Sequence, residues 1–100
     1  MITQISPAEL QSIINQEEAY QIVDVRQPEE FAIFNIGGDL IPLAQLDAQV
    51  ERIRQNEKII LVCKSGTRSN HAADFLQLKG FDQLYNLSGG LSAWVREFGK

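Results

Sequence analysis

The only cysteine in the chain, Cys63, lies where a nucleophilic thiol would be expected. It ends the apolar run 59–62, which predicts a buried strand, and a short loop with one glycine and two basic residues follows before a helical pattern begins. A thiol between the end of a strand and the start of a helix faces backbone N–H groups and the positive end of the helix dipole. Both favour the thiolate, the reactive form of cysteine. The arrangement predicts thiolate chemistry on a sulfur-bearing or oxyanionic substrate.

The loop after Cys63 has the composition of an anion-binding nest. Gly66 permits a positive φ in a tight turn, and residues 63–68 can turn several N–H groups toward a bound anion. The only histidine, His71, lies a helical turn beyond the loop and is more typical of a helix surface than of a proton shuttle. We therefore expect a stabilised thiolate rather than a Cys–His pair. The residues expected to bind the substrate are Lys64, Ser65, Gly66, Thr67, Arg68 and Ser69.

Each candidate also has a structural interpretation. Cys63 could be a buried thiol without chemistry, since free cysteine is among the most buried residue types. Arg68 could be a solvated residue, although a cation in the first turn opposes the helix dipole, which favours anion binding. Lys64 is explained equally well as a surface lysine and as a contact for an anionic donor or for the acidic tail of a carrier protein. The loop sequence favours the functional interpretation of Cys63.

Charged residues elsewhere are expected to have supporting roles. Asp24 and Arg26 follow a predicted buried strand, where an unpaired charge is costly, so we expect them to fix nearby loops by hydrogen bonds. The acidic pairs 17–18 and 29–30 are predicted to be solvated helix faces. They are not expected to be paired general acids, because nothing apolar surrounds them to raise a pKa.

The composition is that of one soluble globular domain. The 100 residues are 44% hydrophobic and 22% charged, which suffices for a single core without disulfides or metal. No apolar run approaches the roughly 20 residues of a membrane span, and the N-terminus lacks signal-peptide features. A net charge of −4 disfavours nucleic acid as a partner. A lone cysteine cannot form an internal disulfide, so the cytoplasm is the expected location. No metal or organic cofactor is predicted.

Strand and helix patterns alternate along the chain. Strands are predicted at 2–5, 22–25, 59–62 and 84–87. Helices are predicted from 7 to between 16 and 19, at 45–56, 67–79 and 91–98, and as a short acidic turn that starts at 28–31 and stops at the glycines 37–38. The last helix should pack Trp94 and Phe98 into the core, and Gly89 and Gly90 should form a tight turn. This alternation predicts an α/β fold with a largely parallel sheet. Ligands in such folds bind at the carboxyl ends of strands, where Cys63 lies.

Three segments together resemble the single-domain rhodaneses, a family of sulfurtransferases. Their active-site loop is similar to CKSGTRS at 63–69, their early Asp-Val-Arg segment to DVRQPEEF at 24–31, and their closing double-glycine segment to FDQLYNLSGGLSAW at 81–94. The resemblance implies a rhodanese-like three-layer α/β/α domain over residues 1–100, with a central, mostly parallel sheet of about five strands. It also implies that Cys63 carries sulfur as a persulfide, received from thiosulfate or a protein persulfide. The acceptor would be a thiol, cyanide or a protein.

Two other functions remain open at this level. Rhodanese-like domains often resemble components of a sulfur relay, which pass sulfur on to another enzyme. The chain could therefore be a persulfide relay or binding module for a partner enzyme of cofactor or tRNA thiolation. A phosphatase or arsenate reductase is the other alternative. Related phosphatases of the cell-cycle type have a loop one residue longer than the four residues between Cys63 and Arg68. The shorter loop suits one sulfur atom better than a tetrahedral oxyanion.

Overall fold

A computed structural model describes residues 1–16 and 18–100, so the expectation for Glu17 lies outside the described residues. The elements follow in the order β1 (Ile2–Ile5), α1 (Pro7–Asn15), β2 (Tyr20–Asp24), α2 (Pro28–Ile33), β3 (Asp39–Leu40), two 3₁₀ helices (Leu43–Gln45 and Val50–Arg52), β4 (Lys58–Val62), α3 (Thr67–Leu78), β5 (Leu84–Leu87) and α4 (Gly90–Phe98).

The five strands form one sheet in the order β1-β5-β4-β2-β3, and every pairing is parallel. The predicted parallel α/β sheet is therefore confirmed. β4 is the middle strand, so its carboxyl end, where Cys63 follows, lies between the ends of β2 and β5. Parallel strands need crossover connections, and the helices that provide them cover both faces of the sheet.

Side chains of β4 alternate between two cores. Ile59 and Leu61 pack on one face with α3 and the 3₁₀ segment, whereas Ile60 and Val62 pack on the other face with α1 and α4. All four side chains are buried. The alternation explains why the strand reads as a continuous apolar run, and the two cores produce the predicted three layers.

The first helix begins as its sequence predicts. Ser6 Oγ accepts the N–H of Glu9 at 3.1 Å, and Glu9 Oε1 accepts the N–H of Ser6 at 2.8 Å. This reciprocal capping satisfies two N–H groups that the helix itself leaves without partners.

The predicted helix 45–56 is wrong. The chain there forms the two short 3₁₀ helices, although Leu46 and Ile53 are buried at a spacing that a helix would also allow. The buried amide of Gln21 on β2 explains why the second of these helices does not continue to residue 56. Its Nε2 donates to the Arg52 carbonyl at 2.9 Å, and its Oε1 accepts the Arg54 N–H at 2.8 Å. These bonds end the second 3₁₀ helix, because they use backbone groups that a longer helix would need.

The last helix departs from expectation at its end. Trp94 is buried as predicted, but Phe98 is 44% exposed, so its placement in the core is wrong. Phe98 lies in the final turn, against Trp94, with the ring centroids 4.6 Å apart. Within the part of the chain that is described, no helix is both long and apolar enough to span a membrane.

Gly90 does more than complete a turn. It begins α4, whose first N–H groups bind the loop after β4: Leu91 N donates to the Cys63 carbonyl at 2.8 Å, and Ser92 N donates to the Lys64 carbonyl at 3.0 Å. Gly90 has φ +62°, and a Cβ placed there would lie 2.5 Å from the Cys63 oxygen and closer still to that of Lys64. Any side chain would therefore push α4 away from the loop.

We predict that Gly90→Ala lowers the free energy of unfolding by at least about 2 kcal/mol, because it adds a clash with backbone to the strain of a positive φ. Urea denaturation measures the change. Gly80→Ala is the matched control, since Gly80 has φ +99° but no atom near the new Cβ. Equal losses in the two variants would contradict the account of close packing at Gly90.

Candidate functional site

The sulfur of Cys63 lies within a set of hydrogen-bond donors. Its Sγ accepts the N–H of Gly66 at 3.0 Å and the N–H of Ser69 at 3.3 Å. The Ser69 hydroxyl oxygen is also 3.3 Å from Sγ. Cys63 itself has no exposed surface. The structure thus brings the predicted nucleophile together with two of the loop residues predicted to bind the substrate.

These donors favour the thiolate. Burial alone would raise the pKa of the Cys63 thiol, but the Ser69 hydroxyl and the backbone N–H groups of Ser69, Gly66 and Ser65 outweigh it and hold the pKa below its ordinary value. Hydrogen bonds to the charged form stabilise that form, which is the usual means of activating a cysteine.

The loop directs its N–H groups toward the sulfur because its carbonyls are bound elsewhere. The carbonyls of Cys63 and Lys64 point to the N-terminus of α4, as described above. Gly66 then adopts φ +100°, as its sequence position predicted, and becomes the N-cap residue of α3. Its N–H bonds to Sγ, and its carbonyl accepts the N–H of Asn70 at 3.1 Å. The result is the nest of N–H groups expected from the sequence.

Arg68 lies on α3 beside the loop but is bound to an acidic partner. Its Nη1 and Nη2 contact the two carboxylate oxygens of Glu30 on α2, at 2.7 and 2.9 Å. Hydrogen bonds from Arg68, and then from the N–H of Gln27, lower the pKa of Glu30 to about 2. The hydrogen bond to Glu30 in turn raises the pKa of Arg68. The expectation that Glu30 is merely a solvated helix residue is therefore wrong.

Asp24 and Arg26 form a buried ion pair at the end of β2. Arg26 Nη2 lies 2.7 Å from Asp24 Oδ2, and Arg26 Nε lies 2.9 Å from Asp24 Oδ1. The guanidinium also donates to the Phe34 carbonyl at 2.8 Å and to the Glu30 carbonyl at 3.4 Å. Arg26 thereby binds the last carbonyls of α2, where a cation is favourable. The pair holds in place the helix that carries Glu30.

Sequence reasoning missed Asn86. This residue lies on β5, next to β4, and only 3% of it is exposed. Its Oδ1 accepts a hydrogen bond from the Ser69 hydroxyl, and its Nδ2 donates to the Gly66 carbonyl at 3.3 Å. The signal in the sequence was an amide in the middle of an otherwise apolar strand, since a buried polar group requires partners.

The remaining loop side chains point outward. Lys64, Ser65 and Thr67 are exposed, and so is His71, as its helix position predicted.

On one side of the loop lies an open groove with apolar walls and two lysines, formed in part by Ile33, Phe34, Leu91, Val95, Lys64 and Lys100. On the other side lies a polar depression whose lining includes Ser65, Thr67, Asn70, His71 and Asn86. Among the described residues, no cluster of three or more His, Cys, Asp and Glu side chains could hold a metal ion.

Comparison with known proteins places this geometry in a family. The family model described as a rhodanese-like domain matches residues 6–97. The sulfurtransferase of Allochromatium vinosum is 30% identical over 97 residues, which cover 96% of this chain and 91% of that protein. The "Putative sulfur carrier protein YrkF" of Bacillus subtilis is 31% identical over 95 residues, which cover 94% of this chain. The chain spans only 51% of YrkF and 60% of the uncharacterized protein YqhL of Bacillus subtilis, to which it is 40% identical over 75 residues.

Solved structures agree with the family match. The rhodanese-like domain protein of Staphylococcus aureus superimposes with a TM-score of 0.85 at 32% identity, over 92% of this chain and 90% of that chain. The rhodanese-related protein of Thermoplasma volcanium also gives a TM-score of 0.85, at 27% identity, over 98% of this chain and 95% of that chain. With its parallel sheet, its Cys63 loop and a family match over nearly its whole length, the chain belongs to the rhodanese-like domain family.

Proposed function

We propose that the protein is a sulfurtransferase in which Cys63 carries sulfane sulfur as a persulfide. The observation that carries this proposal is the set of N–H donors around Cys63 Sγ, from Gly66 and Ser69. They stabilise the thiolate before attack and would stabilise the outer sulfur afterwards, as an oxyanion hole stabilises developing charge. The A. vinosum relative named as a sulfurtransferase supports the same chemistry.

With thiosulfate as donor, the first step is attack by the Cys63 thiolate on the outer sulfur. A new S–S bond forms, and the bond between the two sulfur atoms of thiosulfate breaks. Sulfite leaves with the electron pair of the broken bond, and the negative charge comes to lie on the terminal sulfur of the persulfide. No proton is transferred, so the missing Cys–His pair is no obstacle.

The second step returns the thiolate. A nucleophilic acceptor, such as a thiolate or cyanide, attacks the terminal sulfur of the persulfide, and the Cys63 sulfur leaves with the electron pair. Because Cys63 is again a thiolate at the end, the N–H groups that lowered its pKa also make it a good leaving group.

Binding of an anionic donor would involve the loop and its basic neighbours. Lys64 is exposed at the loop and supplies a positive charge to the adjacent groove. Arg68 is close enough to Cys63 for the thiolate charge to help raise the arginine pKa. We propose that the N–H groups of residues 64–69 bind the transferred sulfur, and that Lys64 and Arg68 attract the anion. The hydroxyls of Ser65 and Thr67 would contribute further donors.

A sulfur relay is the second candidate function. Its support is the groove beside the loop, where Ile33 is 82% exposed among other apolar residues and Lys64 lies nearby. Such a surface would suit a protein donor or acceptor better than a small anion. The relative named as a sulfur carrier supports this alternative. In either function the lone thiol would work in a reducing compartment such as the cytoplasm.

We predict that incubation with thiosulfate adds the mass of one sulfur atom to the wild-type protein, and that a small thiol removes it. Cys63→Ser should gain nothing while remaining folded, because the change is nearly isosteric. Intact-protein mass spectrometry without reductant measures both. A sulfur gain in Cys63→Ser would contradict the proposal.

The donor can be assigned by repeating the incubation with a cysteine desulfurase and free cysteine. A gain of sulfur with the desulfurase but not with thiosulfate would favour the relay function. If neither donor adds sulfur to Cys63, the sulfur-transfer proposal is wrong. Hydrolysis of an aryl phosphate that is lost in Cys63→Ser would then assign the loop to phosphate chemistry instead.

The rate of sulfur loading should rise with pH and reach its plateau at a lower pH than for an ordinary cysteine thiol. Only the thiolate attacks, and its pKa is held below the ordinary value of a cysteine thiol, so the midpoint should lie below that ordinary value. Quenched loading reactions across a pH series measure the profile. A midpoint at or above that value would contradict the stabilised thiolate.

The Arg68–Glu30 pair gives a charge test. Arg68→Met should lower the rate of loading at low thiosulfate about tenfold, because the donor is a dianion. Glu30→Gln should raise that rate about threefold at low salt. In the wild-type protein Glu30 is ionised above a pH of about 2, and its negative charge offsets the positive charge of Arg68. Arg54→Met is the control, because Arg54 pairs with Glu57 outside the loop. An unchanged rate in Arg68→Met would exclude this arginine from donor binding.

A further inference from the structure

A buried series of polar side chains connects Cys63 with the neighbouring strand β5. Ser69 has no exposed surface and Asn86 is 3% exposed. The Ser69 hydroxyl oxygen lies 3.3 Å from Cys63 Sγ and 2.5 Å from Asn86 Oδ1, to which it donates. Asn86 Nδ2 donates to Gln4 Oε1 at 2.8 Å and to the Gly66 carbonyl at 3.3 Å. These two bonds fix which end of the Asn86 amide faces Ser69.

The Ser69 hydroxyl has a single proton and two buried acceptors for it. While Cys63 is a thiol, all the bonds can be made at once: the S–H donates to Ser69 Oγ, and the hydroxyl donates to Asn86 Oδ1. When Cys63 is a thiolate, it can no longer donate. The hydroxyl then either remains on Asn86 or rotates to donate to the charged sulfur.

We propose that Asn86 is a positioning residue whose Oδ1 competes with Cys63 Sγ for the Ser69 hydroxyl proton and thereby limits how far that hydroxyl stabilises the thiolate. This inference deepens the sulfur-transfer function proposed above, because it concerns the reactivity of the same sulfur atom. A thiolate relieved of part of its stabilisation is the stronger nucleophile, since nucleophilicity falls as the thiol pKa falls.

The proposed competition and a loss of loop structure predict opposite shifts of the Cys63 pKa when Asn86 is replaced. Removing the Asn86 acceptor frees the hydroxyl to donate to the thiolate at no cost, so Asn86→Leu should lower the pKa of Cys63. A merely structural role would have the other sign, because loosening the loop weakens the N–H bonds to Sγ and raises the pKa. In the variant the Gly66 carbonyl loses the hydrogen bond from Asn86 but still accepts the N–H of Asn70, so it is not left without a partner.

The test is a double-mutant cycle on the Cys63 pKa, read from the ultraviolet absorbance of the thiolate, with Cys63→Ser as the blank. Asn86→Leu should lower the pKa by about 0.5 when Ser69 is present. In the Ser69→Ala background the same substitution should not lower it. Ser69→Ala alone should raise the pKa, since it removes a donor. If Asn86→Leu folds poorly, Asn86→Ala takes its place in the cycle.

Gln21→Leu is the matched control. Gln21 is also a buried strand amide, 2% exposed, but its partners are Asp39, Arg52 and Arg54. Its removal should destabilise the protein without moving the Cys63 pKa. None of the substitutions in the cycle or its control adds or removes a charged side chain, so the lysine at 64, the Arg68–Glu30 pair and His71 beside the loop are the same in every variant.

A pKa that rises or stays constant in Asn86→Leu would overturn the proposal, and so would an equal fall in the presence and absence of the Ser69 hydroxyl. The titration needs no sulfur donor. A failure of thiosulfate and desulfurase loading would therefore count against the proposed function alone, whereas a failed cycle in a protein that loads sulfur would count against Asn86 alone.

Discussion

The site depends on the contact between the start of α4 and the loop after β4. The N–H groups of Leu91 and Ser92 bind the carbonyls of Cys63 and Lys64, and Gly90 has no side chain that would keep the two backbones apart. With these carbonyls turned toward α4, the N–H groups of the loop are left to face the sulfur. One contact thus satisfies the first donors of a helix and also creates an electropositive environment for a thiolate.

Ion pairs extend this support to β2 and α2. Asp24 holds Arg26, and Arg26 binds the final carbonyls of α2. That helix carries Glu30, whose two carboxylate oxygens accept hydrogen bonds from Arg68. The position of the arginine beside the loop is therefore fixed from β2 through α2. Because the Asp24–Arg26 pair is buried and its charges are matched, removal of one partner would cost far more than the pair contributes.

Local patterns predicted four of the five strands, the start of α1 and the place of Cys63, because each of these features depends on residues that are close together in the sequence. The two-residue strand β3 was not predicted. The helix expected at 45–56 does not reach residue 56, because Gln21, distant in sequence, binds the backbone of Arg52 and Arg54. The Glu30–Arg68 pair joins residues 38 positions apart and leaves no local sign. Asn86 did leave one, an amide in an apolar strand, but its role follows only from the pairing of β5 with β4.

The most direct test of the account is a crystal structure of the protein after treatment with thiosulfate. We predict one additional sulfur atom bonded to Cys63 Sγ and lying inside the loop, within hydrogen-bond distance of N–H groups in 64–69. The contacts of Leu91 and Ser92 with the loop carbonyls should be retained. A terminal sulfur directed away from these N–H groups, or bound without any of them, would contradict the claim that the backbone of this loop holds the transferred sulfur.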